Sequence, residues 1–310
     1  MRKSILAAIF TVVLSSLGSL AWATAGQGPN VVVSIKPIHA LVAGVMQGVA
    51  EPRLLISGGG SPHGYVLRPS QARALADADL VIWVGHALEG FLEKPLATLA
   101  RQARQLELAV VLREQLLPLR GGGSWDAHAE HEEDAEHEAD ELNPHLWLSP
   151  PLAKLIVART ATALSEVDPA HQDRYRRNAQ QLQARLDELH RQLTDKLAPV
   201  KGVPYIVFHD AYRYFEAAYG LNAVGSITVD AERRPGARRI GEIRAKIKEL
   251  NARCVFSEPQ FEPRLVATII EGSGARSGVL DPLGAELAAG VESYFQLMNN
   301  LADNLLAGLR

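Results

Sequence analysis

Short runs of β-branched and aromatic residues alternate along the chain with longer stretches whose apolar residues recur every three or four positions. The strand-like runs are residues 30–35, 53–56 and 79–84 in the first half and residues 204–208, 223–229, 253–257 and 278–280 in the second. Nearly continuous apolar strands separated by helices are typical of parallel sheets that helices cover on both faces. Two such sets predict an α/β protein with two lobes, over residues 26–166 and 200–310, each with a mainly parallel sheet.

The longest helical pattern lies between these two sets. Asp168 and Pro169 give an N-cap and a first-turn proline, and the pattern predicts one helix over residues 168–198. Its apolar stripe consists of Tyr175, Ala179, Leu182, Leu186, Leu189, Leu193 and Leu197. A helix of about 28 residues spans roughly 42 Å, more than one lobe needs, so we expect it to bridge both lobes as a rigid spine. The alternative is an ordinary long surface helix, with flexible linkers joining the lobes.

The first 23 residues have the layout of a secretory signal peptide. A basic start at residues 1–3 precedes an apolar run over residues 5–20 and a small-x-small site, Ala21-Trp22-Ala23. A transmembrane anchor is the alternative, but the apolar run is short and ends like a cleavage site. We therefore expect an exported protein that is located in the periplasm.

The composition narrows the possible chemistry. The chain has 310 residues, a formal net charge of −3 and a single cysteine, Cys254. One cysteine excludes an intramolecular disulfide and cysteine-based zinc or iron–sulfur sites within a single chain. The near-neutral charge gives no support for nucleic-acid binding. Histidines and carboxylates are left as candidate metal ligands.

One strongly acidic segment lies in the first lobe. Residues 126–141 hold nine acidic residues, three histidines and no lysine or arginine, and a Gly-Gly-Gly-Ser stretch precedes them. Because no apolar side chain here is larger than alanine, the segment predicts a loop outside the packed core, residues 121–141. Its histidines, interleaved with carboxylates, are candidates for weak metal capture: His128, His131 and His137. A solvated acidic loop without metal is the alternative.

Three other histidines lie where predicted elements begin or end. His63 follows a Gly-Ser-Pro loop, His145 lies between two prolines, and His209 directly follows a strand run. Ligand sites in open α/β sheets lie beyond the carboxyl ends of strands, and three neutral imidazoles with one oxygen form a zinc site. Spacing does not establish that the three are close, so a structural role for each histidine stays open at this point.

Five segments together resemble the signatures of a known family. They are SPHGYVLRPS (61–70), NPHLWLSP (143–150), FHDAYRYF (208–215), CVFSEPQF (254–261) and LDPLG (280–284). In this order they resemble the periplasmic metal-binding subunits of zinc and manganese ABC importers, and the zinc-specific ZnuA-type branch most closely. The resemblance covers essentially the whole chain after the signal peptide. It implies two α/β lobes bridged by one long helix, with His63, His145 and His209 as metal ligands in the cleft between them.

The resemblance also implies the rest of the site. Asp281 occupies the position where the wider family supplies a carboxylate ligand; a water as the fourth ligand, with Asp281 in a turn, is the alternative. Some zinc-specific members carry an acidic residue just before the first histidine, but here Pro62 has no ligand atom. Glu258 is expected to accept a hydrogen bond from a ligating imidazole and so orient it.

Metal identity follows from the third histidine. Manganese-selective members carry a carboxylate where this chain has His209, and nitrogen donors suit Zn²⁺ whereas Mn²⁺ prefers oxygen. The resemblance implies a monomeric solute-binding protein that delivers Zn²⁺ to the inner-membrane permease of an ABC importer and its ATPase, and not an enzyme. The alternatives are a metal-dependent adhesin, a periplasmic metal buffer, or a zinc hydrolase with Glu258 or Asp210 as general base.

Overall fold

The computed structural model describes residues 28–120, 142–228, 235–261 and 264–310. The predicted signal peptide, residues 1–23, and the acidic loop with His128, His131 and His137 lie outside the described residues. No helix within the described ranges is long and apolar enough to cross a membrane.

The strands of the described residues form two parallel sheets of four strands each. The first sheet contains β1 (Val31–Val33), β2 (Arg53–Leu54), β3 (Leu80–Trp83) and β4 (Arg104–Glu107), in the order β2-β1-β3-β4. The second contains β5 (Pro204–Val207), β6 (Asn222–Ser226), β7 (Cys254–Ser257) and β8 (Arg276–Val279), in the order β6-β5-β7-β8. Every pair is parallel, and both sheets follow the same order along the chain. The predicted α/β class with two parallel sheets is confirmed.

The hydrophobic pattern did not predict β4. This strand has the sequence Arg-Gln-Leu-Glu, lies at the edge of the first sheet, and buries only Leu106. An edge strand with mostly polar, exposed residues gives no apolar run from which to predict it.

Helices cover both sheets. In the described residues before the long helix these are α1 (Lys36–Met46), α2 (Pro69–Ala76), α3 (His86–Glu89), α4 (Glu93–Thr98), α5 (Leu108–Val111) and α6 (Pro150–Val167). The long helix is α7 (Gln172–Leu197), followed by α8 (Arg213–Tyr219), α9 (Ala237–Glu249), α10 (Arg264–Ile270) and α11 (Glu292–Leu309). Helices α1, α2 and α6 have a proline in the first turn, where the missing N–H has no helical partner to lose.

The long helix α7 buries all seven residues of the predicted stripe, from Tyr175 to Leu197. Its 26 residues span about 39 Å. It packs on α1 and α6 of the first lobe and on α8 and α11 of the second. At Gly44 of α1, a Cβ atom would lie 2.8 Å from Leu182 Cδ2, so glycine permits the close contact between α1 and α7. The helix therefore bridges both lobes, as predicted.

This helix begins later than the pattern predicts. Residues Pro169–His171 form a 3₁₀ turn, and α7 starts at Gln172. The carboxylate of Asp168 accepts hydrogen bonds from the Tyr175 hydroxyl and from His171 Nδ1, both at 2.7 Å, and caps no backbone N–H. Asp168 thus ends α6 and does not begin the spine. The lobe boundaries at residues 166 and 200 stay predictions.

One apolar core runs through both lobes. It extends from Val31 in β1 through the buried stripe of α7 to Leu309 at the end of α11. A smaller cluster, which includes Ile206, Val255 and Ile269, lies between the second sheet and its helices α9 and α10. Hydrogen bonds reinforce the contact between lobes, since the Trp147 indole donates to Pro282 O and the Tyr294 hydroxyl to Trp147 O, both at 2.8 Å.

Cys254 is a buried thiol in β7, as the strand pattern indicates. Its Sγ would lie 2.9 Å from a Cβ at Gly308 and 3.1 Å from one at Gly278, so two glycines provide its space. Burial raises the pKa of this thiol to about 12. At neutral pH the group is therefore a packed, unreactive thiol.

Candidate metal centre

The three histidines reach the cleft from separate elements. His63 lies in the loop between β2 and α2, and His145 directly precedes the 3₁₀ turn Leu146–Leu148 that leads into α6. His209 is the second residue after β5. Two ligand candidates thus come from the first lobe and one from the second, and the packing of the lobes brings them together.

The candidate ligand atoms of these histidines all lie within 4.8 Å of one another. The Nε2 atoms of His145 and His209 are 3.2 Å apart. The nitrogen–nitrogen edge of a tetrahedral zinc site with Zn–N bonds of 2.0–2.1 Å is about 3.3–3.4 Å long. Among the described residues, no second group of three or more histidine, cysteine or carboxylate side chains has ligand atoms this close. The spacing therefore fits one small ion held by three imidazoles.

Hydrogen bonds orient two of the three imidazoles. His209 Nδ1 contacts Glu258 Oε1 at 2.8 Å, and Glu258 follows β7, the parallel neighbour of β5. His145 Nδ1 contacts Asn143 Oδ1 at 3.0 Å. A carboxylate and an amide oxygen both accept, so each Nδ1 carries the proton and each Nε2 keeps a lone pair for a metal.

Burial keeps the centre in the form that binds metal. His145 and His209 are buried, and His63 is partly exposed. Desolvation lowers the pKa of His145 well below its usual value, and the neighbouring His209 and His63 lower it further. His145 is therefore neutral at physiological pH, as a metal ligand must be.

The cavity at this centre is small. Its volume is about 10 Å³, room for a single particle of the size of a water molecule. Besides the three histidines, its walls include Trp147, Glu258, Gln260 and Phe261. A cavity of this size is matched to a single small ion and is much smaller than a site for an organic molecule.

Asp281 has a different environment from the histidines. It follows β8, but it is not part of the three-histidine group. Its carboxylate accepts backbone hydrogen bonds from Leu283 (3.0 Å), Gly284 (3.0 Å) and Ala285 (2.6 Å). The buried Lys36 amine donates to the carbonyls of Gly284 (2.6 Å) and Ala285 (2.7 Å). Asp281 as the fourth ligand stays a prediction.

Sequence reasoning missed the residues that support the site from a distance. The Asn143 amide donates to Asp210 O at 2.7 Å, besides contacting His145. Arg120 Nε donates to Asp210 Oδ1 at 3.0 Å, and Arg120 Nη1 donates to Glu216 Oε2 at 2.8 Å. Asp210 is thus held in a buried ion pair directly beside His209. Asn143 lies within a conspicuous motif, but no sequence signal links Arg120 to Asp210, 90 residues away.

Comparison with known proteins identifies the family. The family model for ZnuA, the periplasmic component A of a zinc-uptake complex, matches residues 31–308. The chain belongs to this family. The ZnuA resemblance read from the five motifs is therefore confirmed.

Individual relatives agree with this membership. High-affinity zinc uptake system protein ZnuA of Brucella abortus (strain 2308) is 44% identical over 306 residues, which cover 91% of this chain and 92% of that protein. A crystal structure of a ZnuA deletion mutant with zinc bound matches with a TM-score of 0.75 at 26% identity, covering 91% of this chain and 98% of the other. A mutant structure of the laminin-binding adhesin of Streptococcus agalactiae matches with a TM-score of 0.76 at 25% identity. The match covers 91% of this chain and 100% of the adhesin chain.

Proposed function

We propose that this chain is the periplasmic solute-binding protein of a zinc ABC importer. It captures Zn²⁺ with His63, His145 and His209 and delivers the ion to an inner-membrane permease driven by its ATPase. The observation that carries the proposal is the convergence of three imidazoles within 4.8 Å, in the cleft of a ZnuA-family chain.

The donor set favours zinc as the cargo. Three neutral imidazoles with one further oxygen ligand match the nitrogen-rich, tetrahedral sites that Zn²⁺ occupies in proteins. Mn²⁺ prefers carboxylate, carbonyl and water oxygens, so this centre disfavours it. Cu²⁺ and Ni²⁺ also bind imidazole, and their exclusion in the cell depends on metal availability more than on this geometry.

The surroundings of the centre favour a carrier over an enzyme. The cavity at the histidines, about 10 Å³, is much smaller than the sites that hold organic substrates. Glu258 contacts His209, and Asp210 is paired with Arg120, so both carboxylates considered as general bases already have structural partners. The predicted signal peptide, residues 1–23, supports a periplasmic location, and we propose that the protein acts there as a monomer.

Three measurements test this function together. The chain without residues 1–23, stripped of metal, should bind one tight equivalent of zinc in competition with a chromophoric chelator. Its melting temperature should rise with zinc, because the metal binds the folded state preferentially. A strain lacking the gene should grow poorly in chelated medium, and added zinc should restore its growth.

Each alternative function has its own outcome in these tests. Normal growth in chelated medium, with lost attachment to laminin-coated surfaces, would favour an adhesin. Tight zinc binding with neither phenotype would favour a metal buffer. Zinc-dependent hydrolysis of test esters by the purified chain would favour the hydrolase, and no tight zinc equivalent would refute the proposal itself.

The acidic loop is expected to be dispensable for the main site. Residues flanking it are paired with each other, by a β-bridge between Pro118 and Leu142 and a 2.8 Å hydrogen bond from Asn143 N to Leu117 O. Deletion of residues 126–141 leaves seven residues, 119–125, to join Pro118 to Leu142. In a chelator-competition titration, the tight equivalent should be unchanged and weaker zinc equivalents should be lost.

Replacing His128, His131 and His137 together by alanine is the control, because it keeps the loop length and removes the imidazoles. It should remove the same weak equivalents. A loss of tight affinity of about tenfold or more in the deletion alone would mean that the loop contributes to the main site.

A further inference from the structure

Gln260 lines the metal cavity, and neither the motifs nor the three-histidine pattern identified this residue as functional. It lies three residues after the end of β7, two residues beyond Glu258. It lines the same cavity as His63, His145 and His209. Gln260 therefore lines the cavity in which the three imidazoles meet.

The hydrogen bonds of Gln260 show which of its two polar atoms, Nε2 or Oε1, is available to a ligand in the cavity. Gln260 Nε2 donates a 3.0 Å hydrogen bond to Asp281 Oδ1. A carboxylate accepts and does not donate, so this bond fixes the orientation of the amide. The carbonyl atom, Oε1, is buried and has no hydrogen-bond partner among the described residues. Buried polar atoms without a partner are uncommon in native proteins and need a functional or structural reason.

The Asp281 carboxylate is already held by several hydrogen bonds, which favours an indirect role for it at the metal site. Three backbone amides, those of residues 283–285, donate to its two oxygens, and Gln260 adds a fourth hydrogen bond. Lys36, from the start of α1 in the first lobe, holds the same turn by donating to two of its carbonyls. Turning this carboxylate toward a metal would weaken or break these hydrogen bonds.

We propose that the Gln260 carboxamide oxygen serves the fourth position of the zinc site, where it accepts a hydrogen bond from a zinc-bound water, and that Asp281 is a positioning residue that orients it. This inference rests on the zinc-binding function proposed above. A metal-bound water is a strong donor, and Gln260 Oε1 is a neutral acceptor without another partner. A neutral acceptor also adds no negative charge to a site that must release its ion.

Substitutions at Gln260 test the proposal directly. Gln260→Leu should raise the zinc Kd about tenfold, since loss of an outer hydrogen-bond partner typically costs 10- to 100-fold in metal affinity. Gln260→Glu should also raise the Kd, because it replaces the amide that donates to Asp281 with a second carboxylate that Asp281 repels, so the acceptor is no longer held in place. Both should change the visible absorption spectrum of the Co²⁺-loaded protein, which reports on the ligands around the metal. Gln105→Leu is the matched control, because the Gln105 amide donates to Leu96 O and Ala100 O in the first lobe.

A double-mutant cycle separates the positioning role of Asp281 from direct ligation. Asp281→Asn should weaken zinc binding in the wild-type background and have little further effect in Gln260→Leu, because both changes remove the same interaction. Circular dichroism and melting of each metal-free variant verify that it folds.

Two results would overturn the proposal: a Gln260→Leu protein with wild-type zinc affinity and cobalt spectrum, or an Asp281→Asn loss that is equally large in the Gln260→Leu background. The second result would mean that Asp281 acts independently of Gln260, as a ligand or by holding the turn of residues 283–285. If the wild-type chain itself binds no zinc, the proposed function fails, which is a different result from either of these.

Discussion

Replacing His145 or His209 by alanine is expected to raise the zinc Kd by about a hundredfold to a thousandfold. Zinc sites that stabilise folds bind with about 10–16 kcal/mol. One ligand of four therefore accounts for roughly 2.5–4 kcal/mol, which corresponds to about two to three powers of ten in Kd. His63→Ala should have an effect of the same order, because its nitrogen completes the group of three.

His190→Ala is the matched control for these substitutions. His190 lies on α7 beside the Tyr219 hydroxyl, outside the group of three. Competition with a chromophoric chelator measures the four affinities, and melting of the metal-free proteins shows whether each variant folds. A histidine variant that folds and binds zinc as tightly as the wild type would remove that residue from the site.

The second large effect concerns stability and lies outside the metal centre. Glu89 in α3 is fully buried, and its carboxylate accepts hydrogen bonds from the backbone N–H groups of Val84 and Gly85. Burial raises the pKa of Glu89 to about 7, although those hydrogen bonds and Ser34 oppose the rise. In the unfolded chain a glutamate has a pKa of about 4.3, so between these two values the unfolded state alone ionises.

The sign of the pH dependence follows from this difference. The contribution of Glu89 to stability is fully present below about pH 4.3, falls as the pH rises, and is lost above about pH 7. The total loss is about 3 kcal/mol. Glu89→Gln removes the titration, because an amide stays neutral, so its stability relative to the wild type should rise by about 3 kcal/mol between pH 4.5 and pH 8.5.

Urea denaturation of the metal-free protein at several pH values measures this difference. Glu114→Gln is the control, because Glu114 is exposed, and it should show no comparable trend with pH. A Glu89→Gln protein whose stability relative to the wild type is the same at pH 4.5 and pH 8.5 would show that Glu89 ionises normally in the folded state.

Much of the fold follows from periodicity alone. The stripe from Tyr175 to Leu197 predicted the buried face of α7 residue for residue, because a long amphipathic helix repeats one signal seven times. Elements with fewer or weaker signals were less predictable. The edge strand β4 is polar, and the start of α7 depends on whether Asp168 bonds to backbone N–H groups or, as observed, to Tyr175 and His171.

The candidate site, like the fold, was predictable from the sequence only in part. Each of His63, His145 and His209 stands out locally, because each lies at the end of an element in a distinctive motif. Their convergence depends on how the two lobes pack, and that packing involves the whole apolar core. The resemblance supplied the expectation for Glu258, whereas the contacts of Asn143 and Gln260 become visible only in three dimensions.

The central claim is that one zinc ion is held by these three imidazoles, and an anomalous-scattering map tests it most directly. Crystals of the zinc-loaded protein, measured on both sides of the zinc absorption edge, fix the element and its position together. One peak is expected at about 2.0–2.1 Å from a nitrogen of each of His63, His145 and His209. A zinc peak elsewhere, or one bonded to fewer than three of these histidines, would contradict it.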